Sequence, residues 1–384
     1  MIALAAATAA LADSLDCRLV GSLDTPGSAW GVATGGGLAC IADKDSGLRV
    51  IDISNPRSPF EAGHWDTPGR VEGVAVADSY AYVANAAGLW VINIANPQNP
   101  RDVGFCALPS TACGVVVAEG YAYVADAYSG LRIISIADPQ NPAEVGFCRL
   151  PGFAASVALA DSYACLAVGD SGLRIVNIAD PLNPYPVGYY IAPDLAEAVA
   201  AADSYAYVAS GDSGLLVVNF ADPQNPRLTG RCAAPGHAMG VTLDGSFAYL
   251  ADGYSGLRVI RIADPHQPDL TGYYDLASYA FNVAMAGALA CVANGPAGLQ
   301  IIEFYGAGIE ESDRLTACAS PPAATLVRDV LQLPLTARRL RPAALLDISG
   351  RKVLDLHAGA NDVNRLSPGV YFVRSAVRKV VVTR

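Results

Sequence analysis

The sequence predicts an all-β protein. It reads as a seven-bladed β-propeller of four-stranded blades, closed by an N-terminal strand, followed by a small C-terminal β-sandwich. Three observations predict this. A Gly-Leu pair recurs at Gly47, Gly88, Gly130, Gly172, Gly214, Gly256 and Gly298, at intervals of 41 or 42 residues. Each pair opens an alternating apolar strand, such as Leu48-Arg-Val-Ile-Asp52 or Leu173-Arg-Ile-Val-Asn177. The charge balance reverses late in the 384-residue chain: residues 325–384 hold 11 Lys+Arg against 4 Asp+Glu, and residues 1–324 hold 14 against 32. That reversal marks a boundary between two units.

Residues 1–12 are small and apolar and end in Ala10-Leu11-Ala12, the pattern of a secretory signal with its cleavage site. A short apolar helix that stays on the protein is the alternative. Asp16 directly before Cys17 argues against a lipid anchor there. Residues 13–305 carry the repeat. Before each Gly-Leu strand lies one of the type Ala122-Tyr-Val-Ala-Asp126, and before that one of the type Gly114-Val-Val-Val-Ala118. After each of the first six comes a turn such as Asp138-Pro-Gln-Asn-Pro142, then a strand such as Val145-Gly-Phe-Cys148. Proline has no N–H to give, so the turn ends the ladder. Asp-Ser pairs at 78–79, 161–162 and 203–204 suit tight hairpins. Four strands repeating every 40–45 residues or so make a propeller blade, whereas linear β-solenoids use shorter repeats.

The seventh copy ends at Glu303-Phe-Tyr305 without a proline turn or a fourth strand. The missing strand stands at the other end. Cys17-Arg-Leu-Val-Gly-Ser-Leu-Asp-Thr-Pro-Gly27 matches Phe60-Glu-Ala-Gly-His-Trp-Asp-Thr-Pro-Gly69. Residues 17–23 are therefore expected beside residues 299–304, tying the two ends of the ring together. The Leu-Arg-Val-Ile-Asp and Tyr-Val-Ala-Asp strands resemble LVIVD repeats over residues 17–305. The resemblance implies a secreted or surface propeller and no catalytic residues.

Residues 306–324 are small, polar and proline-containing, as in a linker. In residues 325–384, Gly350-Arg351, Leu366-Ser-Pro-Gly-Val-Tyr371 and Lys379–Arg384 resemble the C-terminal sorting domain of the type IX secretion system. That resemblance implies a small β-sandwich read by the export machinery and then cleaved. A β module that packs or assembles without being an address is the other reading.

Composition excludes several classes. Hydrophobic residues make up 52% and charged ones 16%, unlike a disordered chain. No uninterrupted apolar run reaches the ~18 residues of a membrane-spanning helix. A net charge of −11 argues against nucleic acid. The nine cysteines include no C-x-x-C and the four histidines are scattered, so no metal or other cofactor is expected. Most thiols are expected buried and reduced.

Function is expected on the loop face around the axis, where strands hold variable side chains rigid. One register row before the inner strands reads Trp30, Glu72, Cys113, Ala155, Glu197, Met239 and Phe281. Two positions earlier stand Ser28, Arg70, Thr111, Phe153, Leu195, His237 and Tyr279. From these rows Trp30, Arg70, Glu72, Phe153, Glu197, His237, Tyr279 and Phe281 are the candidate binding residues for a protein, peptide or glycan; plugging the channel is the competing role. The second-strand ends carry Asp43, Asn85, Asp126, Val168, Ser210, Asp252 and Asn294, expected to bond the following turn rather than calcium. The expected function is a non-enzymatic, extracellular or cell-surface interaction module. The alternative is a lactonase-like propeller hydrolase with axial carboxylates on a metal.

Overall fold

The computed structural model describes residues 14–306, together with the backbone of seven strands between residues 325 and 382. The expected signal (1–12) and all of the expected linker (306–324) but Gly306 lie outside the described residues. The chain divides into two compact units, Met1–Ala307 and Gly308–Arg384.

The first unit is a ring of seven antiparallel sheets. Blade 1 runs Gly31–Gly35, Leu38–Ala42, Leu48–Asp52 and Phe60–Trp65 from axis to rim, and blades 2 to 6 repeat that order. Blade 7 takes Asn282–Ala286, Leu289–Ala293 and Leu299–Phe304 from the end of the repeat and Cys17–Leu23 from the start of the chain. Cys17 pairs with Phe304 and Leu23 with Leu299, so the expected closure is the observed one. The chain goes one step further than expected. Ser14–Leu15 adds a fifth strand to the rim of blade 6, against Tyr273 and Tyr274.

Each turn has a local cause. The first residue of every inner hairpin is left-handed: Gly36, Asp78, Glu119, Asp161, Asp203, Gly245 and Gly287, with φ between +47° and +59°. Glycine and aspartate tolerate that region better than most residues. In the proline turns, Asp138, Asp180 and Asp222 each accept the N–H two residues on and the amide of the asparagine three residues on.

The core lies between blades. Apolar side chains of the second and third strands, such as Ile41, Leu131, Leu166 and Leu215, are fully buried against the neighbouring sheet. The eight described cysteines are all unpaired; seven are buried and Cys113 is half-buried. Cys318 lies outside the described residues. Among the described residues no helix is long and apolar enough to cross a membrane.

In the second unit, Thr325–Val327, Lys379–Val382, Gly369–Val373, Ala343–Leu346 and Lys352–Leu356 form one sheet in that order. Val330–Leu333 pairs with Gly359–Asp362.

Candidate functional site

The repeat fixes the backbone at the hub and leaves the side chains free to differ. In six blades the residue entering the inner strand donates its N–H to the alanine ending the second strand. Examples are Trp30 to Ala42 at 2.9 Å, Glu197 to Ala209 at 2.9 Å and Phe281 to Ala293 at 2.9 Å. Blade 2 departs by a bulge between Val71 and Gly73. A second belt joins neighbouring blades on the same face, where Ala29 pairs with Gly295, Lys44 with Val71, Gly211 with Ala238 and Gly253 with Ala280.

These frames aim the whole row Trp30, Glu72, Cys113, Ala155, Glu197, Met239 and Phe281 into one cavity of about 420 Å³. Six of the eight candidate residues line it: Trp30, Arg70, Glu72, Phe153, Glu197 and Phe281. The other two stand behind its wall. Tyr279 packs on Phe281 at 4.7 Å between ring centroids, and His237 reaches Glu197 with Nε2 3.7 Å from Oε1.

The cavity has two aromatic walls and two charged poles. Trp30 stacks on Phe281 at 4.4 Å and 21°, and the ladder continues through Tyr279 to the exposed Tyr254. On the far side Phe153 meets the exposed Tyr128 edge-on. One pole is Lys44, whose ammonium is buried over the Trp30 ring and paired with Glu72. Burial lowers the Lys44 pKa, and Glu72 pulls it back up. Arg70 beside it lies 3.7 Å from Asp45. The other pole is Glu197 with His237, whose Nδ1 is 2.7 Å from Asp212. Burial raises the Glu197 pKa against the pull of His237; the bond to Asp212 raises that of His237. Between the poles the Cys113 thiol is pushed up to about 12 by burial and by Glu72, so it stays a neutral thiol.

Sequence reasoning missed Lys44. Its signal was the only cation at that turn position, where blades 3 to 7 have Ala127, Gly169, Gly211, Gly253 and Gly295. The second-strand ends also correct an expectation. Asn85 bonds the following turn, accepting the N–H of Ala87 and Gly88. Asp43 and Asp252 instead reach back to the loop before the inner strand, accepting the N–H of Gly27 at 2.8 Å and of Gly236 at 3.0 Å. They are wholly buried, and each lies beside a third-strand arginine, Arg49 and Arg258. A buried carboxylate needs such partners, and these are the ones a blade can supply from its own repeat.

Ring, blade count and hub cavity together define a seven-bladed β-propeller whose loop face carries divergent side chains on a frame shared by six of the seven blades. The repeat itself names the family. The LVIVD repeat matches at residues 26–67, 68–107, 109–149, 151–191, 195–234 and 235–276, and the chain belongs to the LVIVD-repeat family. The six matches cover blades 1 to 6; the split blade 7 lies outside them. No curated protein matches the sequence. Among solved structures, a computationally designed protein, Ika8, superposes with a TM-score of 0.57 at 8% identity, covering 74% of this chain and 99% of that one. A chain of a mitotic checkpoint complex does so with a TM-score of 0.63 at 11% identity, covering 75% of this chain and 92% of that one. At those identities the likeness is one of fold alone.

Proposed function

We propose that the propeller is a non-catalytic interaction module that works outside the cell or on its surface and holds a segment of a protein, peptide or glycan in the hub cavity. The observation that carries this reading is the contrast within the repeat. The backbone frame is kept in six blades and bulged in blade 2, while the seven side chains aimed into the cavity all differ except for two glutamates. A stacked Trp30–Phe281 wall beside charged poles suits the apolar face of a sugar or an aromatic or aliphatic side chain with a polar end. Glu72 is tied to Lys44, which makes it a poor general base or metal ligand. Export rests on the residue 1–12 pattern and on the sorting-like motifs of residues 325–384, read as a β-sandwich address for the export machinery.

The test is a glycan and peptide array followed by calorimetry on the hits. Trp30→Ala and Phe281→Ala are expected to weaken binding at least tenfold, about 1.4 kcal/mol, with an unchanged circular dichroism spectrum. Hits that bind both variants as well as wild type would move the site off the hub. Turnover of a lactone or ester panel, abolished by Glu197→Gln, would replace the reading with the hydrolase one.

A further inference from the structure

We infer that Asp194, Asp212 and His237 form a binding site for a divalent transition metal ion of the zinc class, on the loop face beside the hub cavity. Three separate segments bring the ligands together: the connection from blade 4 to blade 5, the second turn of blade 5, and the connection from blade 5 to blade 6. Each residue offers one donor atom, and the donors all lie within 4.8 Å of one another. Glu197 stands next to them, 3.7 Å from His237 Nε2.

The repeat shows that this is a departure and not a by-product of the frame. The position of Asp194 is Gly27, Gly69, Ser110, Gly152, Gly236 and Ser278 in the other blades. In blades 1, 3 and 6 a carboxylate is buried at the end of the second strand, as Asp43, Asp126 and Asp252. Blade 5 has Ser210 there, whose hydroxyl donates to the Asp194 carbonyl at 3.1 Å. Blade 5 is thus the blade that carries a carboxylate on the face, at the Asp194 position. His237 is the only histidine of its register row. The glycine of the turn belongs to the common frame, shared with Gly169, Gly253 and Gly295, but at Gly211 it leaves room for the new side chains: a Cβ there would stand 2.6 Å from Asp194 Oδ2 and 2.9 Å from His237 Cε1.

Charge points the same way. Glu72 is neutralised by Lys44 from the preceding blade, but the corresponding residue facing Glu197 is Gly169. Among the described residues no lysine or arginine pairs with Asp194, Asp212 or Glu197. Asp252, fully buried beneath the His237 loop, is balanced by Arg258 at 3.5 Å and adds nothing to this charge. Asp194 accepts the N–H of Leu195 at 2.8 Å and of Asp212 at 2.7 Å, so its oxygens are held in place. The three carboxylates Asp194, Asp212 and Glu197 around one imidazole, with no lysine or arginine beside them among the described residues, carry a negative charge that a dication would balance.

The donor set selects the ion. One imidazole nitrogen with carboxylate oxygens suits zinc and its first-row neighbours, whereas calcium and magnesium prefer oxygen alone. Asp212 accepts from or orients His237 Nδ1 at 2.7 Å. On binding, the metal–ligand bonds form where the imidazole–carboxylate contact stood, and any proton shared there leaves to solvent.

The test is calorimetry and thermal melting of the chelator-treated full chain with zinc, magnesium and calcium. The expected result is one zinc per chain with a Kd of about 10 μM or tighter, a raised melting temperature, and binding at least tenfold weaker for magnesium and calcium. His237→Ala and Asp212→Asn are each expected to lose at least tenfold in zinc affinity while melting cooperatively without metal. Asp170→Asn, at the same turn position in blade 4, is expected to bind like wild type. Absence of zinc binding, equal binding in His237→Ala, or equally tight calcium would each overturn the proposal. None of these readouts depends on the hub ligand, so the two proposals stand or fall separately.

Discussion

The closing seam of the ring is built differently from the other six. At those six, a glycine in the outer strand of one blade abuts the proline turn of the next. A Cβ on Gly21, Gly63, Gly104, Gly146, Gly188 or Gly230 would lie 2.0–2.3 Å from the carbonyl oxygen of Pro56, Pro97, Pro139, Pro181, Pro223 or Pro265. Between blades 6 and 7 there is no such turn, because the chain breaks where the turn would be. Gly272 instead faces the ring of Phe304, 2.7 Å from where its Cβ would stand, and the Cys17 thiol. Phe304 in turn packs on Phe247 and Tyr249 of blade 6. Six seams are thus backbone against backbone, while the seventh is side-chain packing reinforced by a strand from the other end of the chain.

The largest effect should come from breaking that reinforcement. Deleting Ser14–Leu23 removes the outer strand of blade 7 and the fifth strand of blade 6 together. Two rims are then left unpaired and Leu299–Phe304 loses its partner. The expected outcome is a melting temperature lowered by more than about 10 °C, or no soluble monomer, read by circular dichroism and size exclusion. An unchanged melt would mean that side-chain packing alone closes the ring.

That closure was legible in the sequence, and the reason is instructive. Asp24-Thr-Pro-Gly27 and Asp66-Thr-Pro-Gly69 mark the same point of the repeat, so the strand before each must be the outer strand of a blade. The hub row was legible for the same reason: a periodic backbone carries each register position to the same place. What escaped were pairings between blades. Lys44 and Glu72 are 28 residues apart and Asp194 and His237 are 43 apart, and neither pair follows from the repeat, which specifies only what a blade does with itself. Ser14–Leu15 escaped because two residues carry no alternation to read. The outer-strand glycines were visible as a pattern, but their cause lies in the neighbouring blade's proline carbonyl.

A second comparison sharpens the difference between rigid and adaptable seams. Gly188→Ala places a methyl 2.0 Å from the Pro223 carbonyl oxygen, and two strands and a proline turn must shift to admit it. It should cost roughly 3 kcal/mol or more, at the upper end of overpacking effects. Gly272→Ala meets the edge of a phenylalanine ring that can tilt, and should cost about 1–2 kcal/mol. Urea midpoints of the two variants give the ranking directly. Equal losses would show that Phe304 is held as firmly as a main chain.

The smallest expected effect concerns one rung of the ladder. Arg18 faces Glu303 across the closing pair, with Nε 2.8 Å and Nη2 2.5 Å from the same carboxylate oxygen, and both side chains are about one-sixth exposed. The corresponding rung of blade 6 holds Arg261 and Asp269 at 3.0 Å, both more than half exposed. Geometry alone would rank the pairs close together; burial separates them. Removing Arg18 leaves the Glu303 carboxylate partly desolvated, so Arg18→Met should cost roughly 1–2 kcal/mol. Water replaces the lost partner in blade 6, and Arg261→Met should cost less than about 0.5 kcal/mol. Raising the salt concentration should also weaken the Arg261 contribution more than the Arg18 one, because screening acts on exposed charges first. If both variants lose the same amount and respond alike to salt, the rung at the closing strand contributes no more than an ordinary surface pair, and the seam is held by Phe304, Cys17 and the strand's backbone alone.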